Sequence, residues 1–104
     1  MNDIQKLFFE LVKIDSPSGE EGLMSEFLEN WLTKLGFFVK KDAVGNIYAS
    51  SGDSPRFFLC SHMDTVEPGR GVKPVLVDGV VYSDGKTVLG ADNKAAICSI
   101  IMAV

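Results

Sequence analysis

An α/β layered fold, a mixed sheet flanked by helices as in a three-layer sandwich, is predicted by the order in which periodicities follow one another along the 104 residues. Two stretches with helical spacing come first, several short segments with strand character follow, and an almost wholly apolar helix closes the chain. With 46% hydrophobic and 23% charged residues, and no repeat, linker or low-complexity run, the composition is that of one small globular unit.

The first stripe is Ile4, Leu7, Phe8, Leu11 and Val12, spaced three and four apart, on a helix that Asp3 can cap. Ser16-Pro17-Ser18-Gly19 breaks it. Ser18 and Glu21 then stand as S-x-x-E, a capping box ahead of the stripe Met24, Phe27, Leu28, Trp31, Leu32 and Leu35, and Gly36 occupies the place of a C-cap glycine. Both stripes are core faces without a binding role. Residues 37–41 and 46–50 have strand character around a Val44-Gly45-Asn46 turn, and Gly52-Asp53-Ser54-Pro55 is a further turn. Phe57-Phe58-Leu59-Cys60 is apolar without alternation and is expected to be a strand buried on both faces. Residues 73–77 and 80–83 form a hairpin around Asp78-Gly79, and a final helix begins near Asp92.

That final helix is apolar around nearly its whole circumference from Ala95 to Val104, so it needs cover on several sides. Burial of Ile97, Ile100, Ile101, Met102 and Val104 is worth about 1.5–3 kcal/mol each, and about 8–15 kcal/mol together, comparable with the whole stability of a domain. The expectation is a truncated piece of a longer protein, unstable or self-associating when isolated.

The net charge of −4 argues against nucleic acid or an anionic membrane as partner, and the one adjacent basic pair, Lys40-Lys41, reads as a solvated strand end. No apolar run approaches the roughly 18 residues of a membrane span. Met1-Asn2-Asp3 does not open a secretory signal, so a cytoplasmic protein is expected. Cys60 and Cys98 lie in apolar runs and are expected as free, buried thiols.

His62 is the only histidine, and it follows the apolar run at the strand end, where open α/β sheets place their sites. In extended chain His62 and Asp64 share a face with Cα atoms about 6.5 Å apart, so the carboxylate can reach one ring nitrogen and leave the other for a metal. A structural histidine produces the same H-x-D pattern, and that motif alone leaves both readings open. Ser61 points to the opposite face, which rules out a serine–histidine dyad. Cys60 shares the face of His62, but a thiol inside an apolar run is ordinarily unreactive. In Gly90-Ala91-Asp92-Asn93-Lys94-Ala95-Ala96, Asp92 has an ordinary reading as an N-cap and Lys94 as a first-turn residue without a special role.

Together, His62-Met63-Asp64-Thr65-Val66 and Gly90-Ala91-Asp92-Asn93-Lys94-Ala95 resemble the first two motifs of the zinc metallopeptidase family that includes peptidase T, aminoacylase and carboxypeptidase G. The run Val66-Glu67-Pro68-Gly69-Arg70-Gly71-Val72-Lys73-Pro74 with Asp78-Gly79 most resembles the peptidase T-like branch. Ser16-Pro17-Ser18-Gly19-Glu20-Glu21 and Gly45-Asn46 resemble its early loop and strand. The resemblance implies that residues 1–104 are the N-terminal portion of a catalytic domain whose C-terminal part, and whose lid or dimerisation domain, are absent. It makes His62 a ligand of one zinc, Asp92 the carboxylate bridging two zincs, and Asp64 the catalytic aspartate that orients His62. It also implies a cis peptide at Asp92–Asn93. The family's Glu-Glu pair, with its general base, and the remaining ligands are expected beyond Val104, and Glu20-Glu21 cannot substitute for that pair. The cofactor implied is two zinc ions, with cobalt or manganese as alternatives. The implied activity is hydrolysis of amide bonds in short peptides, of aminopeptidase or tripeptidase type, and a homodimer is among the expectations for the parent protein. Its alternatives are a deacylase or desuccinylase of N-acyl amino acids and a non-catalytic binding or scaffold module. The 104-residue chain by itself is expected to be inactive.

Overall fold

The structure is a computed structural model describing residues 1–52 and 56–104. Its elements are α1 (Asp3–Lys13), α2 (Gly22–Lys34), β1 (Phe38–Lys41), β2 (Ile47–Ser50), β3 (Val75–Val77), β4 (Val80–Tyr82) and α3 (Ala91–Ala103). The layered α/β expectation holds, with the sheet component present as two separate antiparallel pairs, β1–β2 and β3–β4.

Helix α1 is capped by Asn2 rather than Asp3. The Asn2 side chain accepts from the Gln5 amide at 2.9 Å and the Gln5 side chain accepts from the Asn2 amide at 3.0 Å. The cap residue must lie outside helical φ/ψ, as Asn2 does, while Asp3 is already in the first turn where its charge suits the positive end of the helix dipole. Leu7 and Leu11 of α1 meet Met24 and Leu28 of α2 and Ile97, Cys98 and Ile101 of α3, so the core lies among the three helices. Helix α2 ends as its sequence indicates. Gly36 takes φ 95°, its amide donates to Thr33 O at 3.0 Å and the Phe37 amide to Leu32 O at 3.1 Å, which is a Schellman motif.

At the start of α2 the expected capping box is not formed. The N-cap is Glu21, without a side-chain cap bond, and the Ser18 hydroxyl is turned instead toward Asp64. Between β1 and β2, Asp42 Oδ1 accepts from the amides of Val44 at 3.1 Å and Asn46 at 2.9 Å and closes the turn at Gly45. In the second hairpin Asp78 (φ 50°) and Gly79 (φ 78°) both adopt the positive φ that a two-residue hairpin turn requires. The turn expected at Asp53-Ser54-Pro55 lies outside the described residues.

Two expectations fail together. Residues 57–60 form no strand: Phe57 is 76% and Phe58 86% exposed, and Cys60 is exposed rather than buried. A strand exists only where a neighbour accepts and donates its ladder bonds, and no such neighbour flanks this run among the described residues. Cys98 is buried as expected, its thiol donating to Ile4 O at 3.5 Å. Helix α3 is covered on one side by α1, whereas Met102 on its remaining surface and Val104 just past its end are about half exposed. No helix among the described residues is long and apolar enough to cross a membrane.

Candidate metal centre

The extended run 61–65 is held beside the loop that follows α1. The Thr65 amide donates to Ser16 O at 2.9 Å, and the buried Ser16 hydroxyl donates to Met63 O at 2.9 Å. This places His62 opposite the start of α3, where its Nε2 lies 3.0 Å from Asp92 Oδ1. Asp92 can reach it because it does not act as the cap its sequence position suggests. Asp92 and Asn93 have non-helical dihedrals, their peptide bond is cis as the family resemblance implied, and it is Asn93 Oδ1 that accepts from the Ala96 amide at 3.3 Å. All three site residues read from the sequence, His62, Asp64 and Asp92, are thus brought together.

The hydrogen bonds determine the tautomer. His62 Nδ1 lies 3.1 Å from Asp64 Oδ1 and 3.0 Å from Asp64 O, both acceptors, so Nδ1 carries the hydrogen and donates. In the neutral ring Nε2 then presents a lone pair to the Asp92 carboxylate. Two acceptors at 3.0 Å are compatible only with a proton or a cation between them. Zinc bonds of about 2.1 Å to nitrogen and oxygen, spread at a tetrahedral angle, hold those atoms about 3.4 Å apart, so this donor pair would take a divalent metal by opening about 0.4 Å from its 3.0 Å separation. Among the described residues, no group of three or more His, Cys, Asp or Glu side chains converges on one metal position. The Asp92 carboxylate is the main reason the His62 pKa is raised above its usual value, with Asp64 adding to the effect. The Ser18 hydroxyl, followed by His62, holds Asp64 below the usual carboxylate range. The side chains of His62 and Asp92 are 49% and 94% exposed and border an open groove of about 350 Å³, with Thr65, Val66, Val88 and Leu89 along its walls.

Sequence reasoning missed two residues around this centre. One is Ser18, assigned to a helix cap. The other is Lys94, only 1% exposed, whose ammonium donates to Ile14 O at 2.6 Å. Burial pulls its pKa down to about 8, against the opposing pull of Asp15. A signal was available: Lys94 stands at helical spacing from Ile97, Cys98 and Ile101, the buried face of α3. Glu20, as anticipated, is not part of the centre. It pairs with Arg70, which also donates from Nε to Glu67 at 2.9 Å, and the Gly71 amide donates to Asp15 Oδ1 at 2.8 Å, tying the loop after Val66 to the chain between α1 and α2.

The chain is a mixed helix-and-strand unit that sets an aspartate-oriented histidine against a second carboxylate beside an open groove. The solved structures similar to it include a tripeptidase from Staphylococcus aureus, with 38% identity and a TM-score of 0.85 over 94% of this chain and 30% of that one. They also include aminopeptidase PepT from Bacillus cereus, with 35% identity and a TM-score of 0.87 over 96% of this chain and 30% of that one. Similar curated proteins include the uncharacterized YqjE of Bacillus subtilis, 38% identical over 93% of this chain and 29% of its own length. A succinyl-diaminopimelate desuccinylase of Parvibaculum lavamentivorans is 32% identical over 90% of this chain and 27% of its own length. No family model matches the sequence. In sequence and fold the chain is thus similar to peptidases and related hydrolases, peptidase T among them, and it spans about 30% of the length of the proteins it matches.

Proposed function

We propose that this chain is the N-terminal portion of the catalytic domain of a two-zinc hydrolase that cleaves amide bonds in short peptides as an aminopeptidase or tripeptidase. The observation that carries the reading is the pair of acceptors, His62 Nε2 and Asp92 Oδ1, 3.0 Å apart and open to the groove. His62 would hold one zinc through Nε2, Asp92 would reach both ions with its two oxygens, and Asp64 would keep the hydrogen on Nδ1. Zinc bound there supplies Lewis acidity toward a scissile carbonyl and toward water. The remaining ligands and the general base belong, in this reading, to parts of the protein outside this chain. Cobalt or manganese would suit the same nitrogen and oxygen donors. Two cysteines without a disulfide between them suit a reducing, cytoplasmic setting.

The test is turnover of di- and tripeptides by the whole protein, before and after chelation and again with zinc restored. Peptide cleavage that is lost and regained with the metal is expected. Preferential turnover of N-succinyl or other N-acyl amino acids would replace the peptidase with a deacylase, a reading that the likeness to a desuccinylase favours. Metal-replete protein inert toward both classes would point to a binding or scaffold module.

The isolated chain is expected to self-associate through the uncovered surface of α3 at Met102 and Val104, because water-exposed apolar area is worth about 25 cal/mol per Å² when it is covered. Sedimentation velocity across a concentration series checks this, and a monomer at every concentration overturns it.

A further inference from the structure

We propose that Ser18 is a positioning residue for the metal centre and acts through Asp64, an inference that rests on the zinc-site reading above. The two oxygens of the Asp64 carboxylate are divided: Oδ1 accepts from His62 Nδ1 at 3.1 Å, and Oδ2 accepts from the Ser18 hydroxyl. The terminal torsion of an aspartate is broad, so a carboxylate held by one oxygen is loosely aimed. A second bond on the other oxygen defines its plane, and with it the tilt of the imidazole and the direction of Nε2 toward Asp92.

Ser18 itself is firmly carried. The segment from Ile14 to Ser18 is stitched to both motif-bearing parts of the chain, by the Ser16 bonds to Met63 and Thr65 and by the Lys94 ammonium on Ile14 O. Ser16 is 0% and Lys94 1% exposed, so these anchors are enclosed. The cost side points the same way. Ser18 stands three residues before Glu21 in a capping pattern, yet α2 begins without a side-chain cap while the hydroxyl serves Asp64. A serine with only a local role would have the nearer use available.

The experiment measures zinc affinity of the whole protein by competition with a chromophoric chelator, beside the melting temperature of the metal-free form, for wild type, Ser18→Ala, Ser18→Thr and His62→Ala. Ser18→Ala, one bond further out than Asp64, is expected to weaken zinc binding by up to about 10-fold at an unchanged metal-free melting temperature, the low end of the range seen when a partner that orients a metal ligand is removed. Ser18→Thr, which keeps the hydroxyl, is expected to restore most of the affinity, and His62→Ala to lose far more. Wild-type affinity in Ser18→Ala, with zinc lost in His62→Ala, overturns the role of Ser18 and leaves the centre standing. Weakened binding that merely follows a lowered metal-free melting temperature overturns it as well. Zinc retained in His62→Ala overturns the centre itself and this inference with it.

Discussion

Replacing His62 or Asp92 by alanine in the whole protein is expected to remove bound metal and activity together. Each substitution deletes one of two acceptors that face each other at 3.0 Å, and the surviving group then has no partner across the site with which to share a cation. Asp64→Asn is expected to behave differently. It keeps the shape of the side chain but removes the charge that stabilises the hydrogen on Nδ1, so metal should be retained in large part while turnover falls by about 10–100-fold. Metal analysis run beside kinetics separates the three variants. Full activity in His62→Ala would sink the site as described. A parallel loss of metal in Asp64→Asn and His62→Ala would make Asp64 a direct ligand instead of an orienting group.

The second large effect concerns Lys94 and pH. Its ammonium is buried, and its pKa falls from 10.5 to about 8 on folding. Below pH 8 both the folded and the unfolded chain hold the proton, and the folded state bears the full cost of enclosing the charge. Between about pH 8 and 10.5 the unfolded chain still holds a proton that the folded chain has released, so raising the pH favours folding. The shift corresponds to roughly 2–4 kcal/mol of stability gained across that window. In Lys94→Met this gain disappears. The other titrating groups, Cys98 among them, are shared by both proteins and cancel in the difference. Urea denaturation of wild type and variant from pH 7 to 11 reads it directly: the difference should move in favour of wild type as pH rises, and a difference independent of pH would show that Lys94 stays charged when folded. Lys94→Met also leaves Ile14 O without its donor, which costs about 1–3 kcal/mol at every pH and offsets the curve without changing its slope.

What the sequence by itself determined were the features whose causes lie within a few residues of one another. The stripes of α1 and α2, the glycine at φ 95° that ends α2, the Asp78-Gly79 turn and the shared face of His62 and Asp64 all follow from helical or extended geometry applied locally. The two motifs thirty residues apart were legible only through their joint resemblance to a known family, because each by itself also has an ordinary structural reading. Tertiary structure decided each case in which one group had competing partners. Ser18 could cap a helix three residues on or bond Asp64, 46 residues away, and the anchored loop selects Asp64. Asp92 could cap α3 or face His62, and Asn93 takes the cap. Residues 57–60 could become a buried strand only beside neighbours able to complete its ladder, and among the described residues they have none. Lys94 reads as an ordinary first-turn residue until α1 and its following loop close over it and present Ile14 O to its ammonium. The physical reason is the same in all four: a polar group settles on whichever partner the packed chain brings within hydrogen-bonding distance, and that distance is set by packing between segments remote in sequence.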